Sequence, residues 1–171
     1  GFLRDAEEHL THSPWAVSMA FDRDEWVGIV QVDAKRYAED NAGYIPFCYV
    51  DYPRRDQHLG IQLIGQAVSY FRPLGRDKLR LRCAPYNERA QHFYHKYGFS
   101  KIGEEVGSRV PLDIMEKYIK LAQKSFNKGN RLFYKGIATI KILLPFSLLY
   151  HQISQQNLLQ TYILHITIHS H

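Results

Sequence analysis

Gln57-His58-Leu59-Gly60-Ile61-Gln62, followed downstream by Asn87-Glu88-Arg89-Ala90-Gln91-His92-Phe93-Tyr94-His95-Lys96-Tyr97-Gly98-Phe99, is the stretch whose reading decides the fold. From Gly60 the apolar residues Ile61, Ile64, Val68 and Phe71 recur three and four apart, with Leu63 and Ala67 on the same side, so the spacing predicts a helix with one buried face. Pro73 and Gly75 end it. Leu79, Leu81 and Cys83 then alternate with Lys78, Arg80 and Arg82, the two-residue period of a strand with one wet face. Ala90, Phe93, Tyr94 and Tyr97 restore helical spacing, with Asn87 as N-cap and Gly98 as the stop. A glycine at a helix start leaves unpaired backbone N–H groups beside a residue with no side chain, an arrangement that attracts phosphate. Arg54, Arg55 and His58 add positive potential there, although a tight, solvated loop would use the same residues.

Working outward, Val17, Met19 and Phe21 alternate, Asp22-Arg23-Asp24 breaks the run, and Trp26 to Val32 resumes it, as in a hairpin. Tyr44 to Val50 is a third strand whose Pro46 marks a bulge or an edge. Phe99 to Glu105 and Leu112 to Ile119 read as a closing strand pair, and residues 2 to 10 as the end of an amphipathic helix. The order is helix, three strands, helix, strand, helix, two strands: an α/β class (an α+β sandwich) whose mixed, mostly antiparallel central sheet is flanked by helices.

The two stretches resemble the GNAT superfamily of N-acetyltransferases. Residues 57 to 62 are similar to that family's pyrophosphate loop, Gln/Arg-x-x-Gly-x-Gly/Ala, with Gln62 departing at the last position. Asn87, Ala90, Phe93-Tyr94 and Gly98-Phe99 match its Asn-x-x-Ala-x-x-Phe-Tyr-x-x-x-Gly-Phe signature at full spacing. The resemblance covers roughly residues 2 to 119. It implies a GNAT-like fold in which strands 44 to 50 and 78 to 84 splay apart to form a groove for acetyl-CoA as cosubstrate. It further implies that the backbone around Val50 binds the pantetheine arm, that Gln57, His58, Leu59, Gly60, Ile61 and Gln62 hold the pyrophosphate, and that Asn87 contacts the cofactor arm. Tyr94 becomes the general acid for the leaving thiolate. Read without the resemblance, Tyr94 and its neighbours are core aromatics. Phe47, Cys48 and Tyr49 offer no carboxylate where many members place a general base, which leaves Asp33, Glu39, Asp51 or a water chain. The lead-in from Val50 to Gly60 is longer than the family's usual spacing, and the family's first strand and helix are expected to be lacking.

The expected activity is transfer of an acetyl group from acetyl-CoA to a primary amine of a small molecule or peptide by direct attack, since no nucleophile stands out. The alternative is a catalytically silent CoA-binding or protein-interaction domain. Cys48 and Cys83 read as small buried residues, too few for a disulfide framework. With 45% apolar and 23% charged residues among 171, the composition suits an ordinary globular domain. No leader is recognisable and the longest apolar run, Ile142-Leu143-Leu144-Pro145-Phe146, is too short for a membrane span, so a cytoplasmic location is expected.

Charge divides the chain. Of its 22 Lys and Arg and 17 Asp and Glu, residues 121–171 hold five bases and no acid. We therefore read 1–120 as an N-terminally short GNAT-like acetyltransferase domain and 121–171 as a basic extension, either packed back on the body or a non-native read-through product. Leu164, Ile166 and Ile168 alternate like a strand that would cover an exposed sheet edge. No metal is expected at His165, His169 and His171, which lack a Cys or acidic partner. The basic tail has no aromatic interleaving, so a nucleic-acid partner is not expected. Pairing into a homodimer is left open.

Overall fold

The computed structural model describes residues 13, 15–105, 107, 110–120 and 142–145. Its centre is a seven-stranded sheet. The strands are β1 (Val17–Asp22), β2 (Glu25–Asp33), β3 (Ala42–Val50), β4 (Lys78–Cys83), β5 (Ser100–Glu105), β6 (Leu112–Tyr118) and β7 (Ile142–Pro145), in the spatial order β5-β6-β4-β3-β2-β1-β7. Every neighbouring pair is antiparallel except β3 with β4, which is parallel. A parallel pair needs a crossover, and α1 (Leu59–Phe71) supplies it. A second helix, α2 (Glu88–Lys96), follows β4. The mixed, mostly antiparallel α/β architecture expected from sequence is thus the one observed. The segment read as a first helix, residues 2 to 10, lies outside the described residues.

Both described helices pack on one face of the sheet. Leu63, Ile64, Ala67 and Phe71 of α1 form one buried cluster with Val30, Ile45, Leu79, Leu81 and Met115, and Ala90, Phe93 and Tyr94 of α2 join its margin. The buried stripe is rotated slightly from the expected one: Ile61 and Val68 are only half-buried, while Leu59 is buried. Val17, Met19 and Ile29 form a second cluster with Phe21, Trp26, Phe47 and Tyr49. Gly43 lets the core close, because a Cβ there would stand 2.4 Å from the Phe71 ring.

One expectation needs correction. Arg80 and Arg82 do not lie on a wet face: Arg80 pairs with Glu116 (2.6 Å) and Asp40, leaving its side chain 12% exposed. The alternation was read correctly, but the partners that cover it come from β6 and the 34–41 loop. The free edge of β1 is paired by β7, with Ser18 opposite Pro145 and Phe21 opposite Ile142. Residues 164 to 168, expected to serve as edge strand, lie outside the described residues, as do the three terminal histidines. A continuous apolar run ending in proline has no period to betray its strand character. Among the described residues no helix is long and apolar enough to cross a membrane, and no group of three His, Cys, Asp or Glu is placed to hold a metal.

Candidate functional site

The parallel ladder between β3 and β4 runs from Ala42–Lys78 to Ile45–Leu81 and stops, although both strands continue to Val50 and Cys83. Pro46 stands immediately past the last pair and has no N–H to extend it. A register irregularity against β2 falls at the same place, between Gln31–Phe47 and Asp33–Tyr44, so β3 carries an extra residue and bends. The irregular backbone expected at Pro46 is therefore the apex of a fork.

The fork has backbone groups to offer. Asp51 N donates to Val27 O at 3.0 Å, and β2 and β3 are antiparallel. Alternation along such a ladder turns the amides and carbonyls of Cys48 and Val50 away from β2, into the gap. Val50 O is partly used there, accepting from Arg55 Nε at 3.1 Å. Its amide points the same way.

The loop leading to α1 accounts for its extra length with a 3-10 turn, Tyr52–Arg54, capped by Asp51. Asp56 and His58 adopt left-handed backbone (φ 65° and 59°), a conformation that Asp and His enter more readily than most side chains. His58 is the N-cap of α1 yet makes no side-chain cap bond, and no acid lies in the first turn. Among the described residues the N–H groups of Leu59, Gly60 and Ile61 therefore have no side-chain acceptor, and no first-turn acid opposes the positive end of the helix dipole. Gln57 and His58 are exposed beside it, and the Gln62 side chain folds back to His58 O at 3.5 Å. Arg54 contributes little positive potential, contrary to expectation, because Asp22 (3.1 Å) and Glu25 neutralise it.

Asn87 is the N-cap of α2 as expected: its Oδ1 accepts from Ala90 N at 3.1 Å, which leaves its side-chain NH2 without a partner among the described residues. Tyr94 lies on the face of α2 turned to the core, edge-on to Phe93 and Phe99. Burial pushes its phenol well above the ordinary tyrosine range, and the neighbouring Cys48 and Cys83 add to the shift. The two thiols flank the fork, one from each strand. Burial raises Cys48 to about 12, and burial with the Asp113 carboxylate raises Cys83 to about 11. Neither is a thiolate at neutral pH, so neither is poised as a nucleophile.

The two stretches that opened the sequence reading meet at Gly60. A Cβ on this residue would lie 2.9 Å from Phe93 Cζ, so the glycine lets the ring of α2 sit against the first turn of α1. An exposed ion pair, Arg89 Nη2 to Asp56 Oδ2 at 2.8 Å, ties the same loop to α2.

A sequence profile of the acetyltransferase (GNAT) family matches residues 2–99. The chain belongs to the GNAT acetyltransferase family. No curated protein matches it. Among solved structures, Ard1 from Thermoplasma volcanium is similar at 20% identity and a TM-score of 0.57, over 70% of this chain and 78% of that one. An aminoglycoside 6'-N-acetyltransferase complexed with coenzyme A is similar at 18% identity and a TM-score of 0.57, over 68% and 78%. Nourseothricin acetyltransferase is similar at 20% identity and a TM-score of 0.56, over 61% of this chain; the chain spans 65% of its length. At these identities the likeness is one of fold.

Within this GNAT fold two of the carboxylates considered as bases are engaged in backbone caps and the third is exposed. Asp33 Oδ1 accepts from the amides of Lys35 (2.8 Å) and Arg36 (3.2 Å), Asp51 caps the 3-10 turn, and Glu39 is exposed. A different carboxylate reaches the apex. Glu105 binds Arg82, the first residue of β4 past the last β3–β4 pair. Sequence reading missed it, because contacts between β4 and β5 cross β6 and leave no local pattern.

Proposed function

We propose that this GNAT chain transfers an acetyl group from acetyl-CoA to the primary amine of a small molecule or peptide by direct attack. The fork carries the reading: β3 and β4 part at Ile45–Leu81 while both run on, and the uncapped start of α1 faces the loop that leaves β3. An extended pantetheine arm needs main-chain partners, and Val50 has groups turned into the gap. A pyrophosphate needs clustered N–H donors and a positive dipole, which residues 57 to 62 provide. Asn87 would add its side-chain NH2 to the cofactor arm. Solved relatives support this fit, among them the paiA N-acetyltransferase from Thermoplasma acidophilum, a structure in complex with coenzyme A.

Tyr94 is suited to protonate a departing thiolate. Its phenol is protonated and able to donate, and its place beside Cys48 and Cys83 sets it at the level of the fork. The acetyl donor supplies the activated carbonyl; the chain holds it, keeps water from it and delivers the proton. Calorimetric titration with acetyl-CoA followed by thiol release against an amine panel tests the proposal. Absence of acetyl-CoA binding would overturn it.

One observation favours a second reading, a catalytically silent CoA-binding relative: Asp33 and Asp51, two of the carboxylates considered as bases, are both engaged in capping backbone amides. Acetyl-CoA binding with no thiol release from any amine would select this reading.

A further inference from the structure

The helices decide from which side an acceptor reaches the fork. Tyr94, Cys48 and Cys83 lie on the face packed by α1 and α2, so that side is closed. On the opposite face, Tyr44 and Arg82 flank the last β3–β4 pair, and the Tyr44 ring is buried beneath the guanidiniums of Arg36 and Arg82.

Their surroundings carry an uneven charge. Arg82 Nε donates to the Tyr44 hydroxyl and its Nη1 to Glu105 Oε1 at 2.6 Å. Arg36, from the loop after β2, donates Nη2 to the other oxygen of the same carboxylate at 2.9 Å, bonds Tyr37, and lies over the Tyr44 ring at 5.0 Å. Two guanidiniums thus share one carboxylate. Of the other acids near this loop, Asp40 and Glu116 bind Arg80, one step behind the apex, Asp33 accepts from the loop amides, and Glu39 is exposed. Positive charge is in excess at the opening and negative charge behind it. Each guanidinium has five N–H groups in a planar fork, and the bonds to Tyr37, Tyr44 and Glu105 leave several free for a second carboxylate.

We propose that Arg36 and Arg82 form an anion subsite for the acceptor, so that the preferred acceptor is a primary amine bearing a carboxylate next to it, as in an α-amino acid. The inference rests on the acetyltransferase reading above and deepens it. The carboxylate docks on the two guanidiniums, the neighbouring amine faces the fork, and Glu105 holds both arginines at the apex. A single excess positive charge matches a monoanion, and polycationic amines meet like charge at the entrance.

Matched pairs test the subsite on the full chain: alanine against alaninamide, and phenylalanine against phenylalaninamide, in acetyl-CoA-dependent thiol release. The amide's amine is less basic, so intrinsic reactivity favours the amide and a preference for the acid must come from the protein. The acids are expected to show kcat/KM about tenfold or more above the amides, or about 1.4 kcal/mol. Arg36→Gln, at a half-exposed loop position, is expected to erase the gap by raising KM for the acids alone, with acetyl-CoA affinity unchanged, and Arg36→Lys to restore part of it. Amides used as well as acids, or a gap that survives Arg36→Gln, would overturn the subsite while leaving the acetyltransferase reading intact. If acetyl-CoA binds and no amine turns over, equilibrium binding to the CoA-saturated protein decides. N-acetylalanine held about tenfold more tightly than N-acetylalaninamide supports the subsite, and equal or absent binding overturns it.

Discussion

Tyr94 was legible as a residue but not as an environment. The Phe-Tyr step of the α2 stretch marks it, and helical spacing alone would equally make it a core aromatic; in the structure it is half-buried against the core, edge-on to Phe93 and Phe99. Its thiol neighbours come from strands 35 residues apart in sequence, Cys48 and Cys83, and only folding sets them around one phenol. Tyr94→Phe is expected to lower kcat by about 100-fold while leaving acetyl-CoA affinity unchanged, as loss of a proton donor should; calorimetry beside steady-state thiol release separates the two. The thiols carry a pH prediction of their own. Both are raised in the folded state from the ordinary 9.0, to about 12 and about 11, so the folded chain holds these protons more tightly than the unfolded one. Their contribution to stability is full below pH 9 and is lost as pH rises through about 11 and 12. Urea midpoints measured from pH 8 upward should fall, and fall less steeply in Cys48→Ala.

Among the elements, the joints proved more informative than the elements themselves. The periodicity of α1 and the alternation of β4 were plain in the sequence; the reason Gly60 is a glycine was not. As a helix-start glycine it suggests phosphate, and in the structure it is also the contact point for Phe93. Gly60→Ala must push that ring aside, and overpacking of this kind costs about 1–3 kcal/mol. Chemical denaturation should show that loss, with Phe93→Leu in the same chain recovering part of it. Pro46 is the other joint. Its sequence signal, an irregular strand, was read correctly, but its consequence, that β3 and β4 part there, depends on which strand lies beside it. Pro46→Val restores an N–H and a strand-forming side chain at the apex. We expect the ladder to lengthen and acetyl-CoA affinity to fall about tenfold, or about 1.4 kcal/mol, without loss of stability; titration calorimetry and denaturation together check both halves.

For the whole molecule, β7 bears on the division drawn from charge. The acid-free segment 121–171 reads as separate from the body, yet four of its residues pair with β1 and occupy an edge of the sheet. We propose that the extension belongs to the folded unit through this pairing. A chain ending at residue 120 would bare the backbone groups of β1 and is expected to aggregate or to unfold at lower denaturant concentration; a shortened chain that stays soluble and equally stable would defeat the proposal. By itself the sequence determined the types of β1 to β6 and of both described helices, the two stretches that place the chain in its family, and most of the residues facing a core, because these follow from local propensity and from periods of two and 3.6 residues. Only the tertiary structure decided that β3 and β4 separate at Ile45–Leu81, that Gly60 meets Phe93, that Arg36 and Arg82 converge on Glu105, and that β7 covers β1. Each of these joins residues far apart along the chain, and a contact between distant residues leaves no period in the sequence of either partner.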